Sequence, residues 1–261
     1  MVLSPRLAPF LEAWRAGRRL VVLTAYDAWQ ARLVEGAGAD LLLVGDSLGN
    51  VEQGRDSTAN VTLDQMVYHT RMAARGRQTI PIVADLPLHS YDDPEGALES
   101  SKLLMAAGAD AVKFEGTPPG IAEAILGAGI PVMGHLGLLP QTATDFKVRG
   151  KDAAEAAQIA AQARDLADAG CFSVVLECIP SGLGKSVTQT AGIPTIGIGA
   201  GAATSGQVLV FHDVLTLVEG RKAKFVPRGY PNVGVVIHQT LHSWADHVRG
   251  GIYPSDAESY H

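Results

Sequence analysis

Short, nearly uninterrupted apolar runs alternate along the chain with longer stretches in which apolar positions recur at helical spacing. The runs fall at Leu20–Thr24, Leu41–Val44, Ile80–Ala84, Ala111–Phe114, Pro131–Gly134, Ser173–Leu176, Thr195–Ile198 and Val208–Phe211. Their lack of polar alternation is what parallel strands covered on both faces require. Between them lie helix signals. Thr62-Leu63-Asp64-Gln65 has the form of a capping box, and Asp93-Pro94-Glu95 places proline at the first helical position behind an Asp cap. Asp152–Ala169 is Ala-rich and closes on Gly170. Three phrases, Glu35–Asp40, Met105–Asp110 and Leu166–Cys171, each join a helix end through a glycine to the next strand; this is recurring turn chemistry rather than a sequence repeat.

Eight β-α units in one domain predict a closed (β/α)8 TIM barrel rather than an open doubly wound sheet. The whole chain, 1–261, reads as a single domain, with the barrel over about 19–225 and a C-terminal addition over about 226–261. That addition begins with an irregular linker carrying Pro227, Gly229 and Pro231, and ends in an amphipathic helix over about Asn232–Val248. Ser47–Val61 and Leu136–Lys151 are long, polar and Gly-containing, as loops covering a site on the C-terminal rim of a barrel are.

Composition narrows the function. Hydrophobic residues make up 47% and charged residues 18%, which fits a folded enzyme and excludes disorder. A formal net charge of −6, with only the pairs Arg18-Arg19 and Arg221-Lys222 as basic clusters, argues against nucleic-acid binding. No run approaches the roughly 18 apolar residues of a membrane span. The first twenty residues lack the continuous apolar core of a secretory signal. Cys171 and Cys178 have neither redox nor zinc spacing, so two reduced thiols in a cytoplasmic protein are expected.

Ionisable side chains close several of the predicted strands: Asp46 and Ser47 after the second, Asp85 at the third, Lys113 and Glu115 at the fourth, His135 at the fifth and Glu177 at the sixth. A buried carboxylate is costly without a counter-charge. Three of them on neighbouring strand ends converge on one small volume, where Asp46, Asp85 and Glu115 offer hard oxygen ligands to a cation such as Mg²⁺. Strand alternation points Lys113 and Glu115 to the same side, so an ammonium lies beside the carboxylates, either holding the negative end of a substrate or forming a buried ion pair with Glu115. Glu177 lies too far around the rim to be an obvious ligand and is the candidate acid/base. Gly197-Ile-Gly-Ala-Gly201 fits either a backbone phosphate site or a tight turn. Asp27 fits either a helix cap or a site residue.

Eight collinear motifs add a family to this reading: Thr24–Asp27, Val44–Gly49, Gln53–Thr58, Ala84–Pro87, Val112–Gly116, Gly134–Leu138, Leu176–Pro180 and Gly197–Gly201. They resemble those of the ketopantoate hydroxymethyltransferase family over nearly the whole chain. The resemblance implies hydroxymethyl transfer from 5,10-methylenetetrahydrofolate to α-ketoisovalerate (3-methyl-2-oxobutanoate), giving ketopantoate in pantothenate biosynthesis through a Mg²⁺-stabilised enolate. It also implies Mg²⁺ on Asp46, Asp85 and Glu115, keto acid bound by Asp46, Ser47, Asp85, Lys113 and His135, Glu177 as acid/base, and a homodecamer. The chain departs from the family's pattern at Asn50-Val51-Glu52 and in the loop Asp145–Gly150. The runner-up is a Mg²⁺-dependent keto-acid lyase or mutase of the phosphoenolpyruvate mutase/isocitrate lyase group, which would need no folate. A phosphosugar-binding barrel and a non-catalytic binding barrel are the remaining classes. The former lacks an obvious Arg or Lys at Phe211-His212-Asp213, and the latter predicts no metal affinity.

Overall fold

The computed structural model describes residues 4–218, 223–227 and 229–261. The Arg221-Lys222 pair lies outside the described residues. Two compact units emerge, Met1–Phe211 and His212–His261.

In the first unit eight parallel strands close a barrel in sequence order. They are β1 (Leu20–Thr24), β2 (Leu41–Val44), β3 (Ile82–Asp85), β4 (Ala111–Lys113), β5 (Val132–Gly137), β6 (Ser173–Glu177), β7 (Thr195–Ile198) and β8 (Gly206–Leu209). Closure comes from β8 pairing with β1, Leu20 opposite Gly206 and Leu23 opposite Leu209. The helices of this unit are α1 (Ala8–Arg15), α2 (Ala28–Gly36), α3 (Leu48–Val51), α4 (Leu63–Gly76), α5 (Pro94–Ala107), α6 (Ile121–Gly127), α7 (Ala153–Ala169) and α8 (Ser181–Thr190); α9 (Phe211–Leu215) runs from one unit into the next. The expected (β/α)8 barrel is therefore present.

Several caps are those the sequence proposes. Thr62 and Gln65 form a reciprocal capping box on α4, Asp93 caps α5 ahead of Pro94, and Asp152 caps α7, which stops at the left-handed Gly170. Asp27 is a cap too: its Oδ1 accepts from the Gln30 amide at 2.7 Å, which settles it as structural.

Five strands have limits that differ from the sequence reading: β3 runs Ile82–Asp85 rather than Ile80–Ala84, β6 extends to Glu177, and the other three bear on the site or on closure. β5 continues to Gly137, so His135 lies within the strand rather than at its end. β4 stops at Lys113, two residues before Glu115. β8 spans Gly206–Leu209 rather than Val208–Phe211, because Phe211 opens α9 while its amide donates to Thr24 Oγ1 at 3.0 Å. Gly206 is what allows that register: a Cβ there would stand 2.4 Å from the Leu20 carbonyl oxygen.

The N-terminal end of the barrel is sealed by a segment the sequence reading passes over. Leu7, Phe10 and Leu11 of α1 and the turn before it join Leu20, Leu41, Val83, Phe172 and Ile196 in one buried cluster. Phe10 meets Phe172 edge to face with centroids 6.0 Å apart. Asp110, beside this end, is 4% exposed. Its carboxylate accepts from the Ile82 amide at 3.0 Å and from Ser4 Oγ at 3.0 Å, and is paired with Arg77. These contacts serve stability, because the opposite face of such barrels carries the reaction.

Both cysteines are free thiols. Burial pushes Cys171 up to about 12 and Cys178 up to about 11, so neither is an activated nucleophile. The second unit contains α10 (Val233–Arg249), capped by Asn232, whose Oδ1 accepts from the Val235 amide at 3.1 Å. A 3-10 turn over Asp256–Glu258 follows it. Among the described residues, no helix is long and apolar enough to cross a membrane.

Candidate active site

The C-terminal ends of β2 to β6 bring together the ionisable residues that the sequence singles out. Asp46, Asp85, Lys113, Glu115 and His135 are all less than a tenth exposed. Asp85 is the last residue of β3 and sits opposite Lys113 in the strand register, so the two side chains leave adjacent strands side by side. Their charged atoms are 3.1 Å apart. The buried ion pair is thus Lys113–Asp85, not the Lys113–Glu115 pair that alternation along one strand suggests. The other Asp85 oxygen accepts from the Asp46 amide at 3.1 Å.

His135 points to the same space from β5. Its Nδ1 faces Lys113 Nζ at 3.5 Å and Glu115 Oε1 at 3.6 Å, while its Nε2 faces Glu177 Oε2 at 3.2 Å. Burial and the neighbouring ammonium hold the imidazole below its ordinary pKa, so the ring is neutral at physiological pH. The tautomer protonated on Nε2 faces the Glu177 carboxylate and leaves Nδ1 as an acceptor toward Lys113. Glu177 ends β6 and is fixed at its backbone: its carbonyl accepts from the Leu138 amide at 2.9 Å. Gly137 makes this approach possible, since φ is +95° and a Cβ would lie 2.2 Å from that carbonyl oxygen. Ser47 Oγ lies 2.9 Å from the hydroxyl of the fully buried Tyr26, beside Asp46.

One residue of this site carries no warning in the sequence. Gln141, in the loop between β5 and α7, is buried. Its side-chain nitrogen donates to Asp46 Oδ2 at 2.8 Å and to the Leu86 carbonyl at 2.9 Å, and its backbone amide donates to Glu115 Oε2 at 3.1 Å. The Tyr91 hydroxyl donates to Gln141 Oε1. A neutral amide in a polar loop is ordinary composition; only the expectation that Leu136–Lys151 covers the site pointed toward it.

The electrostatics are lopsided. Asp46, Asp85, Glu115 and Glu177 face one ammonium. Burial, then repulsion from Asp85, pushes Asp46 up to about 7. Burial, resisted by Lys113 and reinforced by Asp46, pushes Glu115 up to about 9. Lys113 loses to burial but gains more from Asp85, Glu115 and Asp46, and stays charged. Buried hard-oxygen donors in excess of positive charge fit a hard divalent cation such as Mg²⁺. Among the described residues, no three acidic or imidazole groups are gathered to hold a metal ion as they stand. Asp85 is turned to Lys113 and to the Asp46 amide, and Glu115 to Gln141. Ligation therefore asks side chains to turn within a site whose donor chemistry already suits the ion.

The remaining sector of the rim differs. β7, β8 and β1 carry no ionisable side chain. In Gly197–Gly201, a Cβ at Gly197 would meet Thr204 Oγ1 at 2.7 Å, and Gly199 and Gly201 have φ of +67° and +85°. Close packing and a tight turn account for these glycines. The two segments that depart from the family pattern make local contacts: Glu52 accepts from Gln30 at 2.8 Å, Asn50 donates to the Arg55 carbonyl at 2.8 Å, and Arg149 pairs with Asp145 at 2.6 Å.

The sequence profile of the family described as ketopantoate hydroxymethyltransferase matches residues 6–256. The 3-methyl-2-oxobutanoate hydroxymethyltransferase of Thermus thermophilus is 47% identical over 94% of this chain and 95% of its own length. That of Moorella thermoacetica is 44% identical over 97% and 96%. Among solved structures, phosphonopyruvate hydrolase superposes with a TM-score of 0.65 at 14% identity, covering 99% of this chain and 92% of its own. A 2,3-dimethylmalate lyase of the PEP mutase/isocitrate lyase superfamily does so with 0.61 at 18%, covering 100% and 93%. At that identity these structures share the fold.

Proposed function

The chain belongs to the ketopantoate hydroxymethyltransferase family, and from that premise we propose that it transfers a hydroxymethyl group from 5,10-methylenetetrahydrofolate to 3-methyl-2-oxobutanoate, forming ketopantoate for pantothenate synthesis. The observation that carries the proposal is the buried set Asp46, Asp85, Lys113, Glu115 and His135 at the C-terminal rim, with the half-buried Glu177 beside it.

Each side chain has a task that follows from its surroundings. Lys113, held by Asp85, sets a positive charge against the substrate carboxylate, and Ser47 supplies a hydroxyl beside it. Carbon–carbon bond formation requires loss of the C3 proton from the keto acid. Glu177 accepts that proton, with His135 Nε2–H orienting its carboxylate. Asp46, Asp85 and Glu115 would hold Mg²⁺, which when bound supplies Lewis-acid stabilisation to the charge that develops on the keto oxygen. The resulting carbon nucleophile forms the new C–C bond to the one-carbon unit; the two bonds from that carbon to the folate nitrogens break, one water supplies the hydroxyl oxygen, and tetrahydrofolate leaves with the C3 proton and the other water proton on those nitrogens. A cytoplasmic location, suited to two free thiols, belongs to the same reading.

The test is ketopantoate formation from the purified chain with and without methylenetetrahydrofolate and with and without a chelator. Dependence on both folate and divalent cation is expected. Turnover of a 2-keto acid without folate would move the chain to the lyase or mutase class instead.

A further inference from the structure

Gln141 is the point at which four separate rim segments meet. Its amide spans Asp46 after β2 and the Leu86 carbonyl after β3, its backbone N–H holds Glu115 after β4, and its Oε1 takes the hydroxyl of Tyr91 from the loop before α5. The orientation of the amide is fixed by partners other than the carboxylates. The Leu86 carbonyl only accepts, so the atom facing it is nitrogen, and Tyr91 donates to the oxygen at the other end. The second N–H is thereby aimed at Asp46. Tyr91 is itself braced, its ring 6.0 Å from that of the buried Phe114.

We propose that Gln141 is a positioning residue: it sets Asp46 and Glu115 in one mutual arrangement and ties the order of the β5–α7 loop to occupancy of the pocket below. The inference rests on the reading of this pocket as the divalent-cation and keto-acid site. Two carboxylates of like charge would otherwise turn apart, and two donors carried by one residue, its backbone N–H on Glu115 and its side-chain N–H on Asp46, oppose that. The same hydrogen bonds anchor the loop from beneath, while its far end is held by the Arg149 amide on the Cys178 carbonyl at 2.9 Å, next to Glu177. A ligand that draws Asp46 and Glu115 together tightens the loop, and a loop that is ordered holds one oxygen of each carboxylate while leaving the other to turn to the ligand.

The experiment titrates MgCl₂ by calorimetry in the presence of 3-methyl-2-oxobutanoate and without folate, so that no turnover occurs. It compares the unmodified chain with Gln141→Ala and Tyr91→Phe, and follows amide hydrogen exchange over residues 142–151 with and without the two ligands. The unmodified chain is expected to bind both and to gain protection in the loop. Gln141→Ala should lose roughly 10–100-fold in affinity, the range for removal of a group that orients a metal ligand, and its loop should no longer respond to ligand. Tyr91→Phe frees the amide to rotate and should shift both readouts in the same direction by less; it also serves where Gln141→Ala folds poorly. Unchanged affinity and protection in both variants would overturn the inference, as would a lowered melting temperature with ligand-dependent protection intact. Absence of binding by the unmodified chain would instead refute the site reading on which it rests.

Discussion

Replacing Glu115 by Gln should stabilise the metal-free protein and flatten its response to alkaline pH. Glu115 has an ordinary value of 4.5 and is raised to about 9 in the fold, chiefly by burial. Between those values the folded state binds a proton that the unfolded state releases, so stability falls as pH rises. The fall is about 1.4 kcal/mol per pH unit, roughly 3 kcal/mol by neutral pH, and it continues until the pH passes about 9. Asp46, raised from 3.8 to about 7, adds a slope of its own that ends near neutrality. The interval from about pH 7 to 9 therefore isolates Glu115. Glutamine keeps an oxygen for the Gln141 amide and carries no titrating proton. In chelator, urea unfolding should show Glu115→Gln more stable by roughly 3 kcal/mol at neutral pH, with the difference between the two proteins widening toward about pH 9. Millimolar Mg²⁺ should stabilise the parent, most at high pH, and leave the variant nearly unchanged. A difference between parent and variant that stays constant over that interval would refute the assignment of the strain to this carboxyl.

Glu177→Gln should leave Mg²⁺ and keto-acid binding nearly intact while slowing exchange of the substrate C3 proton with D₂O, read by NMR without folate, by roughly 10²–10⁴-fold; exchange at the parental rate would remove Glu177 from that step. Asp110→Ala leaves Arg77 buried without its carboxylate and should cost about 3–5 kcal/mol in urea unfolding, with keto-acid affinity unchanged in the folded fraction. Gly137→Ala must place a Cβ against the Glu177 carbonyl at a positive φ and should cost about 2–4 kcal/mol, with reduced turnover because the β5–β6 pairing shifts at Glu177. A denaturation midpoint equal to the parent's would contradict either of the last two.

The barrel was legible because the fold itself demands runs such as Leu41–Val44, buried on both faces and hence free of polar alternation. Where the demand is weaker the reading slips. Gly206-Gln207 looks like a turn, although the glycine is there to let β8 approach β1. The residues that plug the barrel, Leu7, Phe10, Leu11 and Trp14, do have helical spacing, but Pro5, Pro9 and Arg15 obscure so short a segment. In the site, charged residues closing apolar strands stand out because burial makes them expensive. Partner choice was not legible, since Lys113 selects Asp85 through inter-strand register, a property of the closed sheet rather than of the local sequence. Gln141 was invisible for a related reason: its role exists only once four segments distant in sequence have met.

Charged side chains at the ends of β2–β6, against strands β7, β8 and β1 that themselves carry none, divide the mouth into two design spaces. Mutations in the first sector alter reactivity and size preference together, because every side chain there is electrostatically tied to its neighbours. Mutations confined to the strands of the second reshape the mouth without replacing a charged side chain. A mutant library confined to that quiet sector would let selection for bulkier or smaller keto acids proceed without renegotiating the chemistry. Successive rounds there should combine with little epistasis against the acidic half.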